Sequence, residues 1–162
     1  MSVLSCADMD ISSLRELLQR FGIDVERVGP SDKIPGSWFG EPEAGIIRNT
    51  LYVRADTPVH SALHESCHYI CMSDDRRRTL HTNAGGDYDE ENAVCYLSIL
   101  LSDYLSGFGR QRMFEDMDAW GYTFRLGSSR AWFEEDAADA KQWLLEQQLI
   151  KPDHTPCWRV RK

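Results

Sequence analysis

Two histidines and a glutamate stand close together in the sequence, at a spacing that suits metal chemistry. His64, Glu65 and His68 form the string His-Glu-Ser-Cys-His, an H-E-x-x-H pattern. On a helix, residues four apart share one face with their Cβ atoms ~5–6 Å apart, so both imidazoles can reach one metal ion. Glu65 then lies a quarter turn away, where it can reach a metal-bound water without being a ligand. Such a donor set suits zinc best, with iron, manganese, cobalt and nickel as alternatives.

The surrounding sequence predicts a helix that carries this pattern. Thr57-Pro58 is a typical helix start, because threonine is a good N-cap and proline is favoured at the first helical position. We expect the helix to run to about Met72. Before it, Ile46-Ile47 and Thr50–Val53 are rich in β-branched and aromatic residues, which predicts one or two strands that can form a hairpin.

A catalytic zinc site needs a third protein ligand and one open position. Three acids open a second long helix that we predict from Asp89 onward, and residues 93–101 are apolar around nearly the whole helix, as in a helix at the centre of a core. We expect Glu90 to be the third ligand, because it lies on the apolar face that must pack toward the first helix. Glu91 and His81 are the alternatives, and the acids also suit the positive end of a helix dipole.

The rest of the chain predicts elements that support these two helices. Ser13 and Glu16 form a capping-box pattern at the start of a short amphipathic helix that ends at Phe21. Trp38 and Phe39 are expected to fix a loop rich in proline and glycine to the core. We also expect an irregular loop over 73–88 with a solvated arginine triplet, helices over 110–119 and 129–147, a strand or turn over 122–126, and loose termini over 1–12 and 151–162.

Length and composition fit a single α+β domain spanning residues 1–162. The chain is 42% hydrophobic and 27% charged, close to the globular average, so it can bury a core. A net charge of −8 argues against nucleic-acid binding by phosphate neutralisation, and no apolar run is long enough for a membrane span. The N-terminus lacks a secretory signal and the five cysteines lack a CxxC spacing, so we expect reduced thiols and a cytoplasmic location.

The pattern on the two helices resembles a known class of metallopeptidases. An H-E-x-x-H helix, a preceding strand and a downstream helix that offers glutamate are similar to the Glu-ligand zincins, or gluzincins. Within that group the chain resembles the small bacterial metallopeptidases that cleave helix-turn-helix repressors. Their second helix carries a glutamate, an alanine three residues on, an aromatic six on and a leucine pair ten and eleven on, which correspond here to Glu90, Ala93, Tyr96 and Leu100-Leu101. The similarity covers residues 50–101 and departs at Val94 and Ser102.

The resemblance implies a minimal zincin-like fold, with a small sheet on the metal helix, a second central helix and C-terminal helices that support both. It implies that His64, His68 and Glu90 hold one zinc ion, and that Glu65 is the general base for the water that attacks a peptide bond. The strand Thr50–Val53 would be an edge that pairs with an extended substrate. An oxyanion donor is also needed, and the candidates are Tyr122, Arg125, His81 and Tyr88.

We therefore predict a zinc-dependent metallopeptidase with a peptide or protein substrate. The alternative is a metal-bearing regulatory or toxin–antitoxin-like module that binds a protein and cuts little or nothing. A third interpretation is a structural domain in which H-E-x-x-H is a coincidence. His60 lies four residues before His64 and so continues the spacing of His64 and His68. It is either a structural residue or one that faces the substrate. The sequence leaves the substrate and the oligomeric state open.

Overall fold

Residues 2–162, which the computed structural model describes, form seven α-helices and a three-stranded mixed sheet, which confirms the predicted α+β class. The helices are α1 (Ile11–Gln19), α2 (Val59–Cys71), α3 (Asp74–Arg78), α4 (Tyr88–Ser102), α5 (Arg110–Trp120), α6 (Ser129–Glu135) and α7 (Ala138–Glu146), and the strands are β1 (Asp24–Arg27), β2 (Gly45–Ile47) and β3 (Thr50–Val53). No helix within residues 2–162 combines the length and the hydropathy that crossing a membrane requires.

The sheet has the order β1-β3-β2, so β3 lies in its centre. β3 pairs in parallel with β1 and in antiparallel fashion with β2, and the β2–β3 hairpin turns through Arg48, whose φ is 51°. The expectation that Thr50–Val53 is an edge strand for a substrate is therefore wrong. The prediction failed because β1 occupies the second edge of β3. This strand is short and mostly exposed, and it has no strong hydrophobic pattern in the sequence. The outer edge of β2 is also occupied, because the Thr82 amide donates to the Ile46 carbonyl at 2.9 Å.

The predicted metal helix and the predicted acidic helix are α2 and α4, and they pack on each other at the centre of the molecule. Tyr69 is the only residue of α2 that is not buried, and α4 is buried all round from Ala93 to Ser102. A helix that is apolar on every side must lie inside the core. The α4 N-terminus is capped by the Asp87 carboxylate, which accepts a hydrogen bond from the Glu90 amide at 2.9 Å.

The peripheral helices differ from the sequence predictions at their ends. α1 begins at Ile11 because the Asp10 carboxylate caps it and accepts from the Ser12 amide at 3.0 Å. The Ser13 hydroxyl, which the sequence marks as the cap, instead accepts from the Ser106 amide at 3.1 Å. The single helix predicted over 129–147 is two helices, α6 and α7, with a break after Glu135.

Two predictions about surface segments are wrong. Trp38 and Phe39 do not pack on the core, since they are 57% and 69% exposed. The loop predicted over 73–88 contains α3, and Arg77 from the arginine triplet is buried. Arg77 lies under the surface because its guanidinium donates to the carbonyls of Tyr69, Met72 and Arg161, which close the end of α2.

The terminal segments 2–12 and 151–162 are packed rather than loose, and Met1, which begins the segment predicted over 1–12, lies outside the described residues. Near the start of the chain, the buried Cys6 donates its amide to the Thr57 carbonyl at 2.8 Å. Near its end, the Arg161 amide donates to the Ile70 carbonyl at 2.8 Å and its guanidinium donates to the Cys71 carbonyl at 3.1 Å. The carbonyls at the C-terminus of a helix have no partner in their own helix, so an arginine that reaches them is held firmly.

Candidate metal centre

The two histidines of the H-E-x-x-H pattern point their Nε2 atoms at the same spot. His64 and His68 lie one turn apart on α2, are 7% and 4% exposed, and have Nε2 atoms 3.1 Å apart. Their rings stand nearly perpendicular, at 84°, with centroids 4.7 Å apart. The opposite nitrogens, Nδ1 of both rings, are buried and have no hydrogen-bond partner within residues 2–162. Both rings therefore present the donor atom that zinc-bound histidines use, on one side of the helix.

The third donor comes from Glu91 at the start of α4. Its Oε1 atom lies 3.1 Å from His64 Nε2 and 3.4 Å from His68 Nε2. Ligand atoms on a tetrahedral zinc ion, each about 2.05 Å from the metal, are about 3.3 Å from one another. Two ring nitrogens and one carboxylate oxygen already have this spacing, so His64, His68 and Glu91 fit a zinc ion.

Glu90, the third ligand that the sequence favoured, lies elsewhere. Its carboxylate is 3% exposed and accepts from Arg76 at 2.7 and 2.9 Å and from Arg161 at 3.1 Å. Successive residues on a helix point 100° apart, so only one of the two neighbouring glutamates can face α2's imidazoles. Space for the Glu90 carboxylate exists because Gly86 has no side chain: a Cβ there would lie 1.9 Å from Glu90 Oε2. The structure thus favours the alternative, Glu91.

Charge pairing links the three candidate ligands to one another. Burial by itself lowers the pKa of His64, but the Cys95 and Glu91 side chains outweigh it and raise that pKa to about 9. The pKa of His68 is also raised, since Glu91 outweighs the effect of burial. Burial would raise the pKa of Glu91, but hydrogen bonds from the two imidazoles lower it strongly. Metal binding must therefore displace protons from the rings.

Glu65 lies next to these ligands without joining them. It is 5% exposed and lines the same cavity as His64 and Glu91. Burial raises the pKa of its carboxyl group above the usual value. A carboxylate with a raised pKa accepts a proton more readily, which is the property that a general base needs.

Of the four candidate oxyanion donors, only Tyr122 lies beside the imidazoles. Its ring stands edge-on to His64, with centroids 5.7 Å apart, and its hydroxyl lies 3.3 Å from His60 Nδ1. His60 is fully buried, and burial lowers its pKa to about 3, so this ring is neutral.

The other three are peripheral: Arg125 pairs with Asp136, Tyr88 is 80% exposed, and His81 bonds Thr82 at 2.8 Å.

Two cavities adjoin next to the candidate metal centre, where both are lined by Glu91, Cys95 and Tyr122. The α2 cavity, about 350 Å³, is also lined by Phe39, Glu43, Ser61, Glu65 and Trp120. The α7 cavity, about 360 Å³, is also lined by Tyr88, Asp89, Phe124, Arg125, Trp132 and Asp139. Cys95 carries no motif of its own, and only its position one turn after Glu91 indicates that it faces this site.

The comparisons with known proteins give no family assignment. No protein-family model, no curated protein and no solved structure matches this chain. A metal role for His64, His68 and Glu91 is therefore inferred from their own geometry.

Proposed function

We propose that this protein is a zinc-dependent peptide hydrolase in which His64, His68 and Glu91 hold the metal. The supporting observation is the convergence of three donor atoms at 3.1–3.4 Å, the spacing of ligands around a tetrahedral zinc ion. Three protein ligands leave the fourth position free, as catalytic zinc sites require. Glu91 lines two cavities and His64 lines one of them, so a substrate could approach these ligands.

Each polar side chain around the site has a separate task in this proposal. A zinc ion, when bound, lowers the pKa of water to about 7 and polarises a carbonyl group. Glu65 accepts the proton of the attacking water and passes it to the amine that leaves. The Tyr122 hydroxyl donates a hydrogen bond to the oxygen on which negative charge develops. Neutral His60 would donate its Nδ1–H to the Tyr122 hydroxyl oxygen, 3.3 Å away, which leaves the hydroxyl proton for the developing negative charge.

The choice of a peptide bond comes from the resemblance of the α2 pattern to gluzincins. The second part of that resemblance, on α4, was counted from Glu90, which bonds two arginines here. The α2 pattern therefore carries the proposal, and cleavage of a helix-turn-helix repressor stays a prediction from the resemblance.

The proposal is tested by zinc content and peptide cleavage on the same samples. We expect about one zinc per chain in wild type and in Glu65→Gln, with cleavage of a mixture of fluorogenic peptides lowered by about 10³-fold in Glu65→Gln. His68→Ala should lose both zinc and cleavage, while His81→Ala, which alters an exposed histidine outside the site, should keep both. Zinc-free wild type, or equal cleavage by Glu65→Gln, would contradict the proposal.

One observation favours a second candidate, a metal-bearing binding module that does not cut. Cys95 lies beside His64 but outside the group of three converging donors, and movement of its side chain into the fourth position would close the site, as in structural zinc sites. Cobalt-loaded protein distinguishes the two. A sulfur-to-cobalt charge-transfer band that Cys95→Ser abolishes supports the closed module, and its absence supports the open hydrolytic site.

A further inference from the structure

We propose that the α2 and α7 cavities form one substrate cleft for an internal segment of a polypeptide, and that the α7 cavity selects a lysine or arginine side chain. This inference rests on the proposed function and adds the substrate class. It commits to an endopeptidase, which cuts within a chain, over an exopeptidase, which removes residues from an end.

The placement of the cavities supports an internal cut. Glu91, Cys95 and Tyr122 line both cavities, so the two cavities adjoin at these residues, next to the candidate metal centre. A chain that crosses this point has about 350 Å³ on one side and about 360 Å³ on the other. An exopeptidase that removes C-terminal residues needs a free cation for the terminal carboxylate. Among residues 2–162, Arg125 is the only arginine or lysine that lines either cavity, and it is already paired with Asp136.

The charge of the α7 cavity favours a basic side chain. Asp89 and Asp139 line it and form no salt bridge within residues 2–162, whereas the Arg125–Asp136 pair is neutral as a whole. The α2 cavity adds Glu43 and Glu65 and no arginine or lysine. An acidic substrate would therefore meet like charges on both sides of the cleft, and a basic one would meet opposite charges.

The apolar part of the α7 cavity fits the aliphatic stem of such a side chain. Phe124 and Trp132 both line it and are stacked, with centroids 4.9 Å apart and an interplanar angle of 28°. Lysine and arginine bury their methylene groups on apolar surface while the charged head stays near water or a carboxylate. An aromatic wall next to two free carboxylates matches both ends of such a side chain.

Exposed aromatic side chains flank the cleft at both ends. Phe39 and Trp120, 69% and 39% exposed, line the α2 cavity, and Tyr88, 80% exposed, lines the α7 cavity. Large apolar side chains left in solvent on the walls of a cleft are typical of a binding surface that a partner covers. Phe39, which was expected to pack on the core, thus lies where a bound chain would contact it.

The test measures binding to zinc-loaded Glu65→Gln, which would not cut its ligand. The probes are twelve-residue peptides blocked at both ends, identical except for a lysine pair that is replaced by norleucine or by glutamate. The lysine peptide is also measured with a free amino end and with a free carboxyl end. We expect the lysine peptide to bind about tenfold more tightly than the glutamate peptide at low salt, with norleucine between them. The double change Asp89→Asn and Asp139→Asn should reduce this preference to about twofold.

A matched control variant has the same total charge as the variant with Asp89→Asn and Asp139→Asn. Glu16→Gln with Glu26→Gln removes two exposed acids away from the cleft, and should leave the tenfold preference intact. Equal binding of the three peptides, or equal loss of preference in both double variants, would overturn the basic subsite. Binding only of peptides with a free terminus would overturn the internal cut. If Glu65→Gln binds the lysine peptide but wild type never cleaves it, the proposed hydrolysis fails while the recognition stands.

Discussion

Glu90 and Glu91 are neighbours on one helix, yet they lie in opposite electrostatic surroundings. Glu90 is enclosed by the guanidinium groups of Arg76 and Arg161, which are permanently charged and satisfy its oxygens. Glu91 faces His64 and His68, whose nitrogens can release their protons and bind a metal. The first carboxylate joins segments of the fold, and the second is free to exchange its partners.

The contrast shows how one helix can supply both structure and chemistry. Arg161 bonds Glu90 and also the Cys71 carbonyl, so it ties the start of α4 to the end of α2. These are the two helices that carry Glu91 and the imidazoles. The arginine–Glu90 cluster therefore sets the distance across which the candidate ligands meet.

The largest effect is expected from removing the charge of Glu91. Glu91→Gln should weaken zinc binding by at least about 100-fold, because an amide oxygen is a much poorer zinc ligand than a carboxylate. A competition titration with a chromophoric chelator measures this affinity. Zinc should also raise the Tm of wild type and leave that of Glu91→Gln nearly unchanged. If Glu91→Gln binds zinc as wild type does, the ligand assignment is wrong.

A smaller and different effect is expected at Glu90. Glu90→Gln should lower the free energy of unfolding by about 2 kcal/mol, because two arginines lose a buried carboxylate, although both are partly exposed. Zinc affinity of the folded protein should stay within about tenfold of wild type. Urea denaturation and the same chelator titration give both quantities. Loss of zinc without loss of stability would reverse the roles given to the two glutamates.

The last effect is on the pH dependence of stability and concerns His60, which shares the helix face of His64 but has the opposite pKa shift. Because burial lowers its pKa to about 3, against an ordinary value of 6.5, the folded chain keeps it neutral while the unfolded chain takes up a proton. Its contribution to stability is complete above pH 6.5 and is lost as the pH falls toward 3. Replacing it should therefore reduce the slope of stability against pH between 6 and 4 by roughly 1.4 kcal/mol per pH unit.

His60→Gln is the suitable variant, since an amide can still bond the Tyr122 hydroxyl. Unfolding free energies measured in urea at several pH values give the slope, with His81→Gln as the control that alters an exposed histidine outside the site. An unchanged slope in His60→Gln would show that this ring is not held neutral by the fold.

The sequence by itself determined the local parts of this protein. The H-E-x-x-H spacing places His64 and His68 on one helix face, since the period of a helix is the same in every context. The apolar run after Asp89 indicated a central helix, and the β-branched residues of β2 and β3 indicated strands. Each of these follows from residues that are close together in the chain.

Only the tertiary structure decided which glutamate faces the imidazoles. α4 is apolar around its whole circumference, so its sequence does not fix its rotation about its own axis, and the faces of Glu90 and Glu91 were both compatible with burial. The rotation is set by distant partners, among them Arg76, Arg161 and the space left by Gly86. The central position of β3 also depends on a distant partner. That partner is β1, whose residues pair with residues of β3 that lie more than twenty positions later in the chain.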